Sequence, residues 1–217
     1  MNAVGFISSA FIQFGVFAFF CSLCWLGHRL LCSFRKNPPT PLLKWLGIIK
    51  PSASWKDGAM VFIGLIVFGL VLQGVESALK LDSLAAISED SPAAKAAGIA
   101  SVPGAVFAGL AYAYVMTGGA EELVMRGLLY KRFIRWFGYQ AANLLQSFLF
   151  AILHNLIIHL AVEDPPIAMH VLTFINLFVF SYVLGWYMEK RDGGSIFMPW
   201  FYHGFGNFKT FLVYWLW

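Results

Sequence analysis

The chain has 217 residues, of which 59% are hydrophobic, 18% are aromatic and only 12% are charged, and its formal net charge is +4. Soluble domains carry about 25% charged residues, so this composition excludes an ordinary soluble protein and indicates an integral membrane protein. The basic residues lie in loops between apolar runs, which argues against a nucleic-acid partner and leaves the lipid bilayer as the expected environment. Without a repeat or a long soluble stretch, residues 1–217 are expected to form a single membrane domain.

Hydropathy predicts an all-α, polytopic transmembrane helix bundle. A spanning helix needs ~20 largely apolar residues, and six segments qualify: Val4–Leu31, Gly58–Leu79, Pro103–Met125, Tyr139–Val162, Ile167–Met188 and Ile196–Trp217. The main connecting segments are a Pro-rich basic connector (Arg35–Asp57), a polar loop with Asp82, Glu89 and Asp90 (Leu81–Val102), a basic amphipathic stretch that suits an interfacial helix (Gly127–Gly138), and a turn that begins at Glu163.

The distribution of charge predicts the topology. Basic residues collect on one side of the six spans: Arg35, Lys36, Lys44, Lys50, Lys56, Arg126, Lys131, Arg132, Arg135, Lys190 and Arg191. By the positive-inside rule this side is cytoplasmic, and both termini then lie outside. The compact length and the absence of eukaryotic address signals favour a prokaryotic cell (inner) membrane.

Two adjacent acids, Glu121 and Glu122, lie at the end of the third predicted span. A charged residue at the centre of a membrane helix costs at least ~2.5–3.5 kcal/mol, so such residues are expected to be paired, hydrated or functional. Glu122 and Arg126 are four residues apart, which allows a salt bridge on one helix face. Glu121 is offset from Glu122 by about 100° and is left without a partner on its own helix. The alternative is a charge cluster that only pairs and anchors the helix.

Two further polar groups fall within predicted spans. His154 lies on a stripe with Asn143, Gln146 and Phe150, and a stripe of this kind faces the interior of a bundle. His203 and Asn207 are four residues apart on the last span, where Gly204 and Gly206 would let another group approach. The alternative for each is hydrogen bonding between helices, and this is the role expected of His159 and His170.

Together these residues have the chemistry of a hydrolase without a Ser or Cys nucleophile. A carboxylate beside an imidazole can activate water, and an imidazole with an amide can stabilise an oxyanion. Counting ~1.5 Å per residue from the predicted ends of the spans places His154 roughly 8–10 Å deeper than Glu121. Two His and one Glu could also bind a catalytic zinc, although no H-E-x-x-H motif is present and His154 and His159 are five residues apart.

Three ordered motifs resemble the CPBP family, also called the Abi or CAAX-protease and bacteriocin-processing family, of intramembrane glutamic proteases. The motif E-E-x-x-x-R corresponds to Glu121–Arg126, F-x-x-x-H to Phe150–His154, and H-x-x-x-N to His203–Asn207. The resemblance covers about 90 residues and lies on separate predicted spans. Residues 1–120 match nothing specific beyond hydropathy.

The resemblance implies that Glu121 and His154 activate the attacking water, that His203 and Asn207 stabilise the oxyanion, and that Glu122 and Arg126 are a structural or orienting pair. It implies peptide-bond hydrolysis near a substrate's C-terminus or at a leader or sorting segment, with no cofactor and no metal. The many phenylalanines near the motifs (Phe148, Phe150, Phe201, Phe205 and Phe208) favour a lipidated or hydrophobic protein or peptide substrate. A non-catalytic immunity or scaffold protein, which the family also contains, is the alternative from a different functional class.

Overall fold

A computed structural model describes residues 2–81, 91–162 and 164–216, and all regular elements in these ranges are helical. The helices are α1 (Ala3–Phe34), α2 (Leu42–Trp45), α3 (Trp55–Ala78), α4 (Pro92–Ala97), α5 (Val102–Leu110), a first π-helical segment (Ala111–Thr117), α6 (Gly118–Glu122), a second π-helical segment (Leu123–Tyr130), α7 (Lys131–Ala161), α8 (Ile167–Lys190) and α9 (Phe197–Leu216). The all-α helix bundle expected from the sequence is therefore confirmed.

Local sequence accounts for several helix starts. The side chains of Asn2, Ser54 and Ser91 each accept a hydrogen bond from a backbone N–H in the first turn of α1, α3 and α4, which satisfies a donor that has no partner within the helix. Pro92 occupies the first turn of α4, where its missing N–H is not needed. These caps explain why helices begin at these positions within polar connectors.

Four helical runs in the described part of the chain are long and apolar enough to cross a membrane: Ala3–Phe34, Trp55–Ala78, Val102–Ala161 and Ile167–Lys190. This number differs from the six predicted spans for two reasons. The 60-residue third run, Val102–Ala161, contains the third predicted span and all but the last residue of the fourth. The last helix, α9, is not among the four, and it carries the polar residues His203, Asn207 and Lys209.

The third run folds back on itself at Gly138. This residue has φ 75° and ψ 170°, a backbone conformation outside the helical region that glycine adopts without a steric penalty. The guanidinium carbon of Arg126, twelve residues before Gly138, lies 4.6 Å from the ring centroid of Phe150, twelve residues after it. The two halves of the run are therefore antiparallel neighbours. The stretch Gly127–Gly138, which was predicted as a possible interfacial helix, continues the helix of the acids, and Gly127, Leu128 and Tyr130 are buried.

Glycines allow α9 to approach the helix that carries the acids. A Cβ atom added to Gly118 would lie 3.1 Å from the backbone nitrogen of Gly204, and one added to Gly204 would overlap the ring of Tyr114. A Cβ atom on Gly206, by contrast, would meet nothing within 4 Å. Of the two α9 glycines that the sequence singled out, only Gly204 lies at a close helix contact.

The connectors rich in basic residues meet at one end of the bundle. Nζ of Lys131 forms an ion pair with Glu189 at 3.2 Å, and Arg132 donates a hydrogen bond to the carbonyl oxygen of Trp45 at 2.8 Å. Asp192 accepts hydrogen bonds from the backbone nitrogens of Ser52 and Ala53 at 2.7 and 2.9 Å. These contacts bring three of the predicted basic segments together. Of the acidic residues in the predicted loops at the opposite end, Asp82, Glu89, Asp90 and Glu163 lie outside the described residues, whereas Asp164 is described.

Candidate active site

Glu122 and Arg126 form a fully buried ion pair. Oε1 of Glu122 lies 2.8 Å from Nη1 of Arg126, and neither side chain is exposed. The same Oε1 atom accepts a hydrogen bond from Nδ1 of His203 in α9, also at 2.8 Å. The first contact follows from the four-residue spacing in the sequence, whereas the second joins two distant segments and was not anticipated.

A buried polar network holds Arg126 from the other side. Nη2 of Arg126 donates to Oγ of Ser181 at 3.0 Å, and that hydroxyl donates to Oε1 of Gln146 at 3.0 Å. Nε2 of Gln146 donates to Oδ1 of Asn143 at 3.0 Å, and Nδ2 of Asn143 donates to the carbonyl oxygen of Tyr182. Ser181, Gln146 and Asn143 are fully buried. The network ties α7 and α8 to the Glu122–Arg126 pair and fixes the guanidinium in one orientation.

Glu121 lies between two imidazoles. Its Oε2 atom is 3.5 Å from Nε2 of His154 and 3.7 Å from Nε2 of His203. The side chain of Glu121 is 34% exposed, but Oε2 itself is buried and has no hydrogen-bond partner. A buried carboxylate oxygen without a partner is unfavourable, and it marks the centre of the candidate site.

The hydrogen bonds of the two imidazoles fix their neutral tautomers. Nδ1 of His154 lies 2.8 Å from the carbonyl oxygen of Phe150, which can only accept, so this nitrogen carries a proton. Nδ1 of His203 similarly donates to the carboxylate of Glu122. In the neutral form of each ring, Nε2 is then unprotonated. Both unprotonated nitrogens face Oε2 of Glu121, which is also a hydrogen-bond acceptor. Three acceptors this close to one another need a proton or a hydrogen-bond donor between them.

Phe150 packs against both imidazoles. Its ring centroid is 4.3 Å from that of His154 and 5.5 Å from that of His203. It is the member of the predicted phenylalanine set that lies at the site, whereas Phe148 and Phe201 are about half exposed on the outside of the bundle.

Asn207 lies one helical turn beyond His203 and has a different partner. Its Nδ2 atom donates to Oγ1 of Thr117 at 2.7 Å. The structure therefore brings Glu121, Glu122, Arg126, His154 and His203 into one connected cluster, while the side chain of Asn207 is hydrogen-bonded to Thr117, four residues before Glu121.

The turn at Gly138 explains why Glu121 and His154 are at the same depth. Glu121 lies seventeen residues before Gly138 and His154 sixteen residues after it. Because similar numbers of residues separate them from the turn, they reach the same level, and Oε2 of Glu121 lies 3.5 Å from Nε2 of His154. The expected depth difference of roughly 8–10 Å is absent, since the third predicted span was ended at Met125 and the helix in fact continues to the turn.

The other histidines of the bundle lie together on a separate surface. Nδ1 of His170 is 3.0 Å from Oδ1 of Asn155, and the rings of His170 and His159 are 5.8 Å apart. Both line a largely apolar groove of about 530 Å³ between α7 and α8. Within the residues that the structure describes, no group of three or more His, Cys, Asp or Glu side chains has an arrangement that could hold a metal ion.

Two residues at the site were not identified from the sequence, Thr117 and Ser181. Ser181 has no signal in the sequence beyond a hydroxyl within an apolar span. Thr117 lies four residues before Glu121, the same spacing that separates His203 from Asn207. That parallel spacing is the only sequence signal that could have pointed to it.

Comparison with protein families identifies the chain. The model of the Rce1-like type II CAAX prenyl endopeptidase family matches residues 96–209, which is more than half of the chain and includes all three motifs. Neither the curated proteins nor the solved structures give a match. The protein therefore belongs to the type II CAAX prenyl endopeptidase Rce1-like family, which is the CPBP family that its motifs resemble, and is an integral membrane protease that acts on a protein or peptide substrate.

Proposed function

We propose that the protein is an intramembrane glutamic endopeptidase in which Glu121 and His154 activate water, and His203 and Asn207 stabilise the oxyanion. The observation that carries the proposal is the unpartnered Oε2 of Glu121 between the Nε2 atoms of two imidazoles. A water molecule beside these atoms can donate one hydrogen bond to the carboxylate and one to Nε2 of His154. This is the environment that a water molecule needs in order to lose a proton as it attacks a carbonyl carbon.

His203 acts in its protonated form. Its Nδ1–H is held by the carboxylate of Glu122, so a proton on Nε2 would produce an imidazolium beside an anion. That imidazolium presents an Nε2–H donor on the side of the ring that faces Glu121. A donor held in place before the reaction stabilises the negative charge that develops on the carbonyl oxygen of the substrate.

The reaction then proceeds in two steps. The oxygen of water bonds to the carbonyl carbon, its proton passes to Glu121 or His154, and the carbonyl oxygen becomes the oxyanion. The same proton is then delivered to the nitrogen of the peptide bond, the C–N bond breaks, and the electron pair of the oxyanion returns to form the new carboxyl group. The products are an amine and a carboxylic acid, and the protein returns to its starting protonation state.

The description of the family and the position of the site support a lipidated or hydrophobic substrate. Glu121 and His154 lie within a helix bundle whose outer surface is apolar. A lipidated or hydrophobic segment is therefore the substrate best suited to enter the bundle. A cleavage site near a prenylated C-terminus fits the description of the family. Cleavage within a leader or sorting segment of a membrane-associated protein would be the same peptide-bond hydrolysis.

We place the basic end of the bundle on the cytoplasmic side of a prokaryotic cell membrane, with both termini outside, by the positive-inside rule. Cysteines introduced beside Lys131 and beside Asn2 would test this in intact cells. Labelling by a membrane-impermeant maleimide is expected at the second position and not at the first, and the reverse pattern would contradict the assignment.

The decisive test is cleavage by Glu121→Gln. Wild-type and variant protein in lipid nanodiscs would be given a farnesylated peptide that ends in a CAAX sequence, and the same peptide without the lipid. Loss of a general base typically lowers the rate by ~10²–10⁴-fold, and a folded Glu121→Gln variant with full activity would refute the proposal. His154→Ala is expected to be similarly impaired. Its matched control, His159→Ala on the same helix, is expected to retain activity.

Two further measurements separate the remaining alternatives. Cleavage that persists in a strong chelator is the expected result, and activity that is lost with the chelator and restored by zinc would replace the glutamic mechanism with a metal-dependent one. Proteomics of protein termini would be compared between cells with the wild-type protein and cells with Glu121→Gln. An uncleaved protein should accumulate in the variant, whereas identical termini together with full complementation by Glu121→Gln would indicate a non-catalytic role.

A further inference from the structure

The hydroxyl group of Thr117 donates its only proton to a hydrogen bond with the backbone. Thr117 is the last residue of the first π-helical segment, and its Oγ1 atom donates to the carbonyl oxygen of Tyr112 at 2.9 Å, with that of Ala113 at 3.4 Å. Both atoms are carbonyl oxygens, which can only accept. The lone pairs of Oγ1 therefore remain as the acceptor that Thr117 can offer to another helix.

Because the Thr117 hydroxyl already donates to the backbone, it can only accept from Asn207, and this determines which end of the Asn207 carboxamide faces it. The 2.7 Å contact between Asn207 and Oγ1 requires a donor from Asn207, which is Nδ2 and not Oδ1. A carboxamide has two N–H bonds on Nδ2. With one N–H held by Thr117, the second points away from it at a fixed angle in the plane of the amide.

The position of this pair relates it to the candidate site. Thr117 lies one helical turn before Glu121, and Asn207 lies one turn after His203. The contacts Glu121–His203 and Thr117–Asn207 are thus two successive levels between the same two helices, about 6 Å apart along the helix axis. An oxyanion between these levels could accept a hydrogen bond from each.

We propose that Thr117 is a positioning residue that holds the amide of Asn207 so that its second N–H is directed at the oxyanion. This inference rests on the proposed function, in which Asn207 supplies one of the two oxyanion donors. Thr117 itself does not touch the reacting atoms, and its effect passes through Asn207.

Two substitutions separate the hydroxyl group of Thr117 from its shape. Thr117→Val keeps the branched side chain and removes the acceptor, whereas Thr117→Ser keeps the acceptor and removes a methyl group. We expect Thr117→Val to lower kcat by about 10–100-fold with KM within about threefold, since a displaced group near the reacting atoms can cost ~10²-fold. Thr117→Ser is expected to stay within about threefold of the wild type. Wild-type kcat for Thr117→Val, or an equal loss in Thr117→Ser, would overturn the proposal.

A double-substitution cycle tests whether the effect passes through Asn207. Asn207→Ala alone is expected to lower kcat by ~10²–10³-fold, the usual cost of losing an oxyanion donor. In that background Thr117→Val should cause no further loss, because the amide it positions is gone. Losses that multiply would show that Thr117 acts independently and would refute the proposed role.

The controls distinguish this proposal from the proposed function. The thermal unfolding of each variant would be followed in detergent, and Thr117→Ala would replace Thr117→Val in the same comparison if the valine variant does not fold. An active Glu121→Gln would refute the glutamic mechanism itself. An inactive Glu121→Gln together with a fully active Thr117→Val would leave that mechanism intact and refute only the role of Thr117.

Discussion

Replacing Arg126 with methionine removes a buried cation while keeping a long side chain in its place. The guanidinium lies 2.8 Å from Glu122, and both side chains are fully buried, so water does not screen the charge that remains. Removal of one partner from a buried ion pair usually costs ~3–5 kcal/mol, because the other charge is left uncompensated. The hydrogen bond from Nδ1 of His203 to Glu122 survives the change and offsets part of this loss.

We therefore expect Arg126→Met to lower the free energy of unfolding by about 3 kcal/mol, the lower end of this range. The double variant Glu122→Leu/Arg126→Met replaces both charges with apolar groups, which is often close to neutral for buried pairs. It should recover at least half of the lost stability. It should not recover cleavage, since Nδ1 of His203 then has no carboxylate to hold its orientation.

Unfolding in mixed micelles, followed by tryptophan fluorescence, would measure both variants against the wild type. Cleavage of the farnesylated peptide would be measured on the same preparations. Stability of Arg126→Met within about 1 kcal/mol of the wild type would refute the reasoning about the buried charge, which expects a loss of about 3 kcal/mol. A double variant that regains activity along with stability would show that the contact between Glu122 and His203 has no part in the chemistry.

Other expectations follow from the packing around the same pair. Ser181→Ala removes the acceptor of Arg126 and the donor to Gln146, and should lower the free energy of unfolding by about 1–3 kcal/mol in the same unfolding assay; unchanged stability would contradict this. Gly204→Ala places a Cβ atom against the ring of Tyr114 and should impair both folding and cleavage, whereas its matched control Gly206→Ala, which meets nothing within 4 Å, should change neither. Equal behaviour of the two alanine variants in unfolding and cleavage assays would contradict the close helix contact at Gly204.

The features that could be predicted from the sequence are those set by composition and by spacing within one helix. Apolar runs and sparse charge were sufficient for the all-α membrane bundle. The Glu122–Arg126 pair followed from a four-residue spacing, because side chains four apart on a helix are neighbours whatever the rest of the fold does.

The features that could not be predicted depend on how distant segments meet. The third predicted span, which carries Glu121 and Glu122, ends at Met125 because charged residues follow it. In the structure Arg126 and Tyr130 are buried, and the helix continues to Gly138. The hydrogen bond between His203 and Glu122 requires α9 to pack against α6. The spacing of residues in a sequence does not give the distance between two helices that are far apart along the chain. The roles assigned to Glu121, His154, His203 and Asn207 remain predictions for the experiments above.

The two π-helical segments affect how the site responds to a change in the length of the chain. A π-helical turn closes an i→i+5 hydrogen bond in place of the i→i+4 bond of an α-helix, so it accommodates one additional residue. Deletion of a single residue from Ala111–Thr117 would let the segment close as an α-helix. The parts of the helix before and after the segment would then keep their relative orientation, whereas deletion of one residue from the α-helical Val102–Leu110 would rotate the preceding part of the helix by about 100° relative to Glu121. A deletion within Ala111–Thr117 should consequently be tolerated better than a deletion within Val102–Leu110, even though neither removes a group that reacts.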